Sequence, residues 1–464
     1  MTKKFEVDIS VLKKYDKAGP RYTSYPTAPH FHPKFTQEDL IREIKAGNEA
    51  ENPKPLSLYF HIPFCEQLCY YCACNTYITH NHERIDAYLK ALKQEIRMYH
   101  QYINTDRKVV QMHWGGGTPT YLKAEQIRSL TEEIKTHFEF DSGAEISIEV
   151  DPRQAGEGLI EMLAELGFNR ISFGVQDTQL KVQQSINRIQ SIELNKSVVE
   201  RARKAGFKSV NIDLIYGLPS QTLESYRQTL QDVLAELNPD RLAVFNFAHV
   251  PWLKKHQNLI KKEELPPVEE KLEILKLVIE YLTSHGYEFI GMDHFARPDD
   301  ELTRALKSET LYRNFQGYNT HAEAEVFAMG ATSISQLSES YSQNVRSDNE
   351  YKKIIDSGKL PIERGIKLTK DDLIRRDVIT ELMCNNVVYK NKINQKYDID
   401  FNTYFEKELP RLNEFMEDHL LVADNEKIQV QDSGRLIVRN IAMVFDAYLE
   451  DDIRKQKNMY SRTV

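Results

Sequence analysis

The sequence predicts an α/β fold: a partial or full (β/α) barrel with an N-terminal arm and a mainly helical, winged-helix-like C-terminal domain. Three observations predict it. Short apolar runs recur from Leu56 onward with helical patterns between them. Those runs alternate, so that one face of each strand stays polar. Three of the helical patterns stop the same way, at Gly167-Phe168, Gly206-Phe207 and Gly286-Tyr287, where a left-handed glycine ends the helix and an apolar residue packs back.

Strands are predicted at Leu56–Ile62, Val109–Trp114, Glu145–Val150, Arg170–Val175, Ser209–Ile215, Arg241–Phe247 and Glu288–His294. Helices are predicted at Gly158–Leu166, Leu194–Ala205, Leu223–Leu237 and Val268–Ser284. Strand–helix alternation argues a parallel sheet. In Glu145-Ile146-Ser147-Ile148-Glu149 the polar residues share one face, and Ser172, Gly174 and Gln176, then Asn211 and Asp213, repeat the pattern. An open doubly wound sheet is covered on both faces and reads as continuous apolar runs. A consistently polar face points instead to a sheet curled around a wet or ligand-filled interior. Chemistry in such folds sits at the C-terminal strand ends, where Cys65, Gly115–Gly117, Glu149, Gln176 and Asp213 fall.

Outside the barrel, expected at 51–335, residues 1–50 form an arm whose Gly19–Pro29 stretch is extended and rich in Pro and Tyr. Residues 336–367 are polar and predict a linker. From 368 to 464 a second unit follows, with helices over Asp371–Met383, Phe405–His419 and about Gly434–Leu449, and a short strand Ile428–Val430.

At 464 residues the chain is long enough for two or three domains. Its net charge of -8, from 61 basic and 69 acidic residues, gives no electrostatic reason to expect nucleic acid. No apolar run is long enough to span a bilayer, and the first residues lack the apolar core of a signal peptide. Four of the five cysteines are crowded into one segment, which suits a reducing, cytoplasmic compartment better than a disulfide framework.

That segment, Cys65 to Cys74, follows the first strand with the spacing C-x3-C-x2-C-x-C. Thiolates this close converge on one soft metal centre. Structural zinc normally draws two ligand pairs from separated loops, and a redox-active thiol pair normally opens a helix; both remain alternatives. After the next strand, Gly115-Gly116-Gly117-Thr118-Pro119 offers an edge without side chains where a ligand can approach backbone N–H groups. Lys254-Lys255 and Lys261-Lys262 read as solvated surface, Cys384 as core, and His61 and His113 as hydrogen-bonded structural residues.

Together these features resemble the radical S-adenosylmethionine (SAM) superfamily. Within it, the motifs resemble the oxygen-independent coproporphyrinogen III oxidase family: Arg21–Pro26, His61–Cys65, Cys74, His113–Thr120, Glu149–Arg153, Gly174–Asp177, Asp213–Pro219 and Asn314–Tyr318. Heme-binding chaperones of the same group typically lack the cysteine at Cys74, and the intact arm also favours the oxidase. The resemblance implies a TIM-like barrel of the radical SAM type and a [4Fe-4S] cluster on Cys65, Cys69 and Cys72, with Cys74 not a ligand. It implies one SAM molecule held by Tyr59, Tyr71, Gly116, Glu149 and Ile334. A second would lie by Gly117, Thr118, Gln176, Arg188, Asp213 and Ala248. Glu149, Phe315 and Gln316 are implied to serve catalysis. The implied substrate is coproporphyrinogen III, two of whose propionates lose CO2 to become vinyl groups. A low-potential donor such as flavodoxin or ferredoxin would supply electrons to a monomer that uses neither membrane nor nucleic acid. Arg21 is a candidate partner for the substrate's carboxylates.

Overall fold

The computed structural model describes residues 5–449. The chain divides into two compact units, neither of which is one run of sequence. The first is built from residues 31–267 and 323–367, the second from residues up to 30, 268–322 and 368 onward.

The first unit is an open, partial (β/α) barrel. Its strands are β1 (Leu56–Ile62), β2 (Val109–Gly116), β3 (Phe140–Val150), β4 (Arg170–Gln176), β5 (Ser209–Tyr216) and β6 (Arg241–Asn246). They pair parallel in chain order. Helices His82–His100, Ala124–His137, Leu159–Glu165, Ile192–Lys204 and Leu223–Asp232 make the crossovers. Their starts follow from local chemistry: Asn81 and Ser191 accept from the amides of Arg84 and Leu194, satisfying donors that a first turn leaves open. Gly167 and Gly206 end two of them at φ +92° and +91°, as the Gly-aromatic pairs predict.

Between sheet and helices lies a core that includes Leu58, Phe60, Trp114, Ile148, Phe168 and Phe173, all buried. Trp114 meets Phe60 and Phe168 edge-on, with ring centroids 6.2 and 5.4 Å away. The other sheet face is polar and ordered in rows by the register. Ser57 faces Gln111, which faces Glu145; Tyr59 faces His113, which faces Ser147. Nearer the C-terminal ends, Glu149 faces Ser172, and Ser172 faces Asn211.

Several expectations are corrected. The segment 336–367 is not a linker. A strand missed in the sequence, β7 (Glu325–Met329), pairs parallel with β1, and β8 (Ile334–Gln336), β9 (Ser340–Asn344) and β10 (Ile362–Lys367) extend it antiparallel. The boundaries expected at 50, 335 and 367 therefore do not match the compact units. The run Glu288–His294 is not one strand but a hairpin in the second unit, Glu288–Gly291 against His294–Ala296. Residues 5–30 of the arm pack within the second unit. In the second unit Tyr22 donates to Asp446 at 2.9 Å, Tyr15 stacks on Phe415, and Arg439 donates to the carbonyl of Pro20.

The second unit also holds helix Val268–Ser284 as predicted, helix Lys370–Asn385, and a sheet in the order Val387–Tyr389, Lys427–Val430, Leu421–Ala423. The expected helix Phe405–His419 is broken, because Pro410 sits in a 3-10 turn over Leu409–Leu412 before a short helix Asn413–Glu417. The expected helix from Gly434 is likewise divided into Asp432–Ile437, Val438–Ala442 and Met443–Phe445. No helix among the described residues is long and apolar enough to cross a membrane.

Candidate active site

The cysteine loop leaves β1 at its C-terminal end and is held mainly through its backbone. Phe64–Cys65 pairs parallel with Tyr77–Ile78, and Tyr77 N–H donates to Pro63 at 2.6 Å. Tyr70 N–H donates to Ile186, and the Asn187 amide donates to Leu68. Lys254 Nζ donates to Cys74 at 2.7 Å, Gln257 Nε2 to Tyr71 at 2.8 Å, and His256 Nε2 lies 2.7 Å from the Cys72 carbonyl, which can only accept.

Each sulfur of the triad has its own partner. Thr118 Oγ1 donates to Cys65 Sγ at 3.5 Å, and Arg153 Nη2 and Arg188 Nη1 both donate to Cys69 Sγ at 3.6 Å. A hydrogen bond between Cys72 and Cys74 lowers the Cys72 thiol to about 6 against the pull of burial. Burial pushes Cys65 up to about 12, so loading a metal there must release a proton. Among the described residues no three His, Cys, Asp or Glu side chains close around a single ion. The donor set is three thiols, each with its own N–H, O–H or S–H partner, and its soft chemistry suits iron and sulfide. Cys74 is exposed, and its hydrogen bond is what lowers the Cys72 thiol.

The glycine run is where the sequence places it, for a different reason. A Cβ on Gly115 would stand 2.9 Å from Glu149 Oε1; on Gly116, 2.7 Å from the His61 ring; on Gly117, 2.8 Å from the Phe64 carbonyl. The space is filled by the protein itself. The amides are occupied too, since Gly116 donates to Glu149 Oε2 at 3.1 Å, Gly117 to Ile62 and Thr118 to Phe64. Gly116 adopts φ +119°, a conformation that a side chain strongly disfavours. His61 Nε2 lies 3.1 Å from the Asn75 carbonyl, which can only accept, so that nitrogen carries the proton and Nδ1 accepts from Tyr59. Burial lowers the affinity of this ring for a second proton.

Two lumen carboxylates differ in how tightly they bind a proton. Burial acts against ionising Glu149, yet hydrogen bonds from His113 and the Gly116 amide outweigh it and hold the carboxyl below its usual range. Its side chain keeps 44% exposure although it is surrounded by protein, because it faces the open lumen. Asp213 accepts from Ser172 at 2.9 Å and Asn211 at 2.7 Å, but burial, and then the charge of Glu149, push it up to about 6. The lumen thus offers one firmly ionised carboxylate and one poised group.

Arg188, buried, bridges Asp151 Oδ2 at 2.9 Å, the Gly174 carbonyl and Cys69. Arg153 closes on the same carboxylate at 2.7 Å, and the two guanidinium groups keep Asp151 ionised against its burial. Gln176 sits beyond a register shift at φ +69°, a left-handed strain costing a side chain roughly 1–2 kcal/mol. Ala248 follows β6, and its carbonyl accepts from Gln257. On either side of it Asn246 Oδ1 and His249 Nε2 are buried without a hydrogen-bond partner, as a site awaiting a polar ligand would leave them. Ile334 opens β8, half-buried. Phe315 and Gln316 belong to the second unit, forming the tip of the hairpin Tyr312–Asn314 and Gly317–Asn319, where Gln316 Nε2 is buried without a partner. Asp151, Arg153, Asn246, His249 and the Lys254–Gln257 latch were not singled out from sequence. Asp151-Pro152-Arg153 lay within a recognised motif, but only geometry shows Arg153 reaching a cysteine.

Fold and site define the class, a radical SAM protein, and the Radical SAM superfamily model matches residues 59–233. The HemN C-terminal domain model matches residues 368–437. The chain is 47% identical to an oxygen-independent coproporphyrinogen III oxidase of Synechocystis sp., covering 99% of this chain and 98% of that one. Against the protein of that name from Escherichia coli it is 46% identical, covering 98% of each. A solved structure titled as coproporphyrinogen III oxidase (HemN) from Escherichia coli, a radical SAM enzyme, superposes with TM-score 0.91 at 45% identity. It covers 96% of this chain and 100% of that one. With such identity along its whole length, the chain belongs to the oxygen-independent coproporphyrinogen III oxidase family.

Proposed function

We propose that the chain converts coproporphyrinogen III to protoporphyrinogen IX without oxygen, by oxidative decarboxylation of two propionate side chains to vinyl groups. The observation that carries this is full-length family membership with the three-thiol loop intact at the mouth of a polar lumen. Cys65, Cys69 and Cys72 would hold a [4Fe-4S] cluster. When bound, the cluster and SAM supply an electron and a carbon-centred radical that abstracts hydrogen from the propionate β-carbon.

This chain's own residues bind, orient and exclude. The N–H groups of Arg153 and Arg188 and the hydroxyl of Thr118 stabilise negative charge on Cys69 and Cys65. Ionised Glu149 would accept from the amine or ribose of SAM, beside Tyr59, Tyr71, Gly116 and Ile334. Gly117, Thr118, Gln176, Arg188, Asp213 and Ala248 would form a second SAM site, which the buried, unpartnered atoms of Asn246 and His249 support. The sheet and its crossover helices wall the lumen from bulk water, protecting a reactive species. Phe315 and Gln316 would act on the substrate. We further assign a low-potential flavodoxin or ferredoxin as donor, and a cytoplasmic monomer with no nucleic-acid or membrane partner.

Anaerobic reconstitution with iron and sulfide, followed by SAM, a low-potential reductant and coproporphyrinogen III, should yield vinyl products with 5′-deoxyadenosine. Deoxyadenosine without decarboxylation would refute the substrate, and a Cys65→Ser chain keeping full cluster absorbance would refute the ligand set.

A further inference from the structure

The loop after β6 carries features that the reaction does not use. From His249 to Lys262 it contains four lysines and no carboxylate, in a chain of net charge -8; Glu263 and Glu264 follow, and Glu264 pairs with Lys261 at 3.0 Å. Trp252 and Leu253 are 70% and 72% exposed and Leu259 56%, among the largest apolar exposures in the described residues. Lys255, Lys261 and Lys262 are exposed around them. The same loop is the latch: Lys254, His256 and Gln257 hold the carbonyls of Cys74, Cys72 and Tyr71. Beneath it Ile260 packs in a core with Phe247, Ile215 and Ile186, against which Tyr70 and Tyr71 rest. One face of this loop therefore grips the backbone of the cysteine segment, while the other presents apolar side chains within a basic rim.

We propose that this face is the docking surface for the electron donor, a small acidic one-electron carrier protein. An apolar centre beside Lys255 and Lys262, unpaired among the described residues, suits a brief encounter of small area steered by opposite charge. A carrier seated there gives up one electron a few residues of backbone away from Cys72. The proposal rests on the cluster reading above.

The test uses the full, iron-loaded chain and photoreduced flavodoxin, following cluster bleaching by stopped flow. Reduction of the parent should slow as salt rises. A Trp252→Ser, Lys255→Glu, Lys262→Glu chain should be reduced at least about tenfold more slowly by flavodoxin, with iron content and the rate with dithionite unchanged. A flavodoxin rate within about twofold of the parent overturns the proposal. So does an equal loss with dithionite, which would make the loop structural. Binding of the parent to anionic phospholipid vesicles, abolished in the variant with no change in flavodoxin rate, also overturns it. Lys255→Ala, Lys262→Ala provides the same comparison should the charge reversal prevent folding. Parent chains that take up no iron would refute the cluster reading; loaded chains indifferent to the patch refute only this proposal.

Discussion

Gly117→Ala is the most direct test of how the glycine run works. The added methyl group would sit 2.8 Å from the Phe64 carbonyl oxygen, and 2.9 Å from both the Phe64 nitrogen and the Pro63 carbonyl carbon. All three are backbone, so no side chain can rotate away, and the loop must retreat by roughly half an ångström or more. Overpacking of this kind costs about 1–3 kcal/mol. At roughly 2–4 °C per kcal/mol for a large domain, melting should fall by about 2–12 °C. The displaced atoms directly precede Cys65, so iron uptake should fall as well. Gly156→Ala is the control, since a Cβ there meets nothing within 4 Å. Thermal scans and iron analysis of both reconstituted variants measure the two effects. A Gly117→Ala chain matching the control in both would refute the packing argument. A lower melting point with full iron would refute the coupling to the cysteine loop.

Three further outcomes follow from the same geometry. Glu95, fully buried, accepts from Tyr351 at 2.5 Å and from the Gly330 amide and Asn344 at 2.7 Å. Glu95→Ala leaves three buried donors open at about 1–3 kcal/mol each and should melt well below Glu95→Gln, as calorimetry would show. Asp213 binds its proton more tightly folded than unfolded, with a folded value of about 6 against 3.8. Its contribution to stability therefore falls as pH rises through that window. The melting advantage of Asp213→Asn should grow from pH 4 to about 6.5 and then level off; an advantage constant with pH contradicts the assignment. Arg153→Gln removes one N–H from Cys69 Sγ and should lower the cluster's reduction potential in an EPR-monitored titration.

Much of the barrel was legible because stretches of β3, β4 and β5 alternate, Glu145–Glu149, Ile171–Gln176 and Val210–Leu214, so a polar face announced the lumen and the strand ends announced the site. The missed strands lacked that signal. In β7 all five residues of Glu-Val-Phe-Ala-Met are buried, with Glu325 neutralised by buried Arg107 at 2.6 Å. In β9, Ser-Tyr-Ser-Gln-Asn reads as a linker, yet Asn344 and Gln343 are buried and satisfied by Glu95, Gly330 and Thr332. Composition reports burial only when apolar residues do the burying. The glycine run was located correctly and explained incompletely, because no spacing rule reveals that the Glu149 carboxylate and the His61 ring occupy the vacated space. Lys254 reads as surface beside Lys255, and nothing in that charge pair shows that its ammonium group grips the carbonyl of Cys74.

The clasp that closes the cysteine segment has a thermodynamic consequence. Zinc fingers and similar small metallo-domains use ligand affinity to drive chain ordering, so chelation unfolds them. Here the ends are joined by Phe64–Cys65 against Tyr77–Ile78, and side chains from three neighbouring loops fix the middle. Part of the cost of ordering the segment is thereby carried by the fold's own hydrogen bonds, so that the binding free energy of a cluster need not meet all of it.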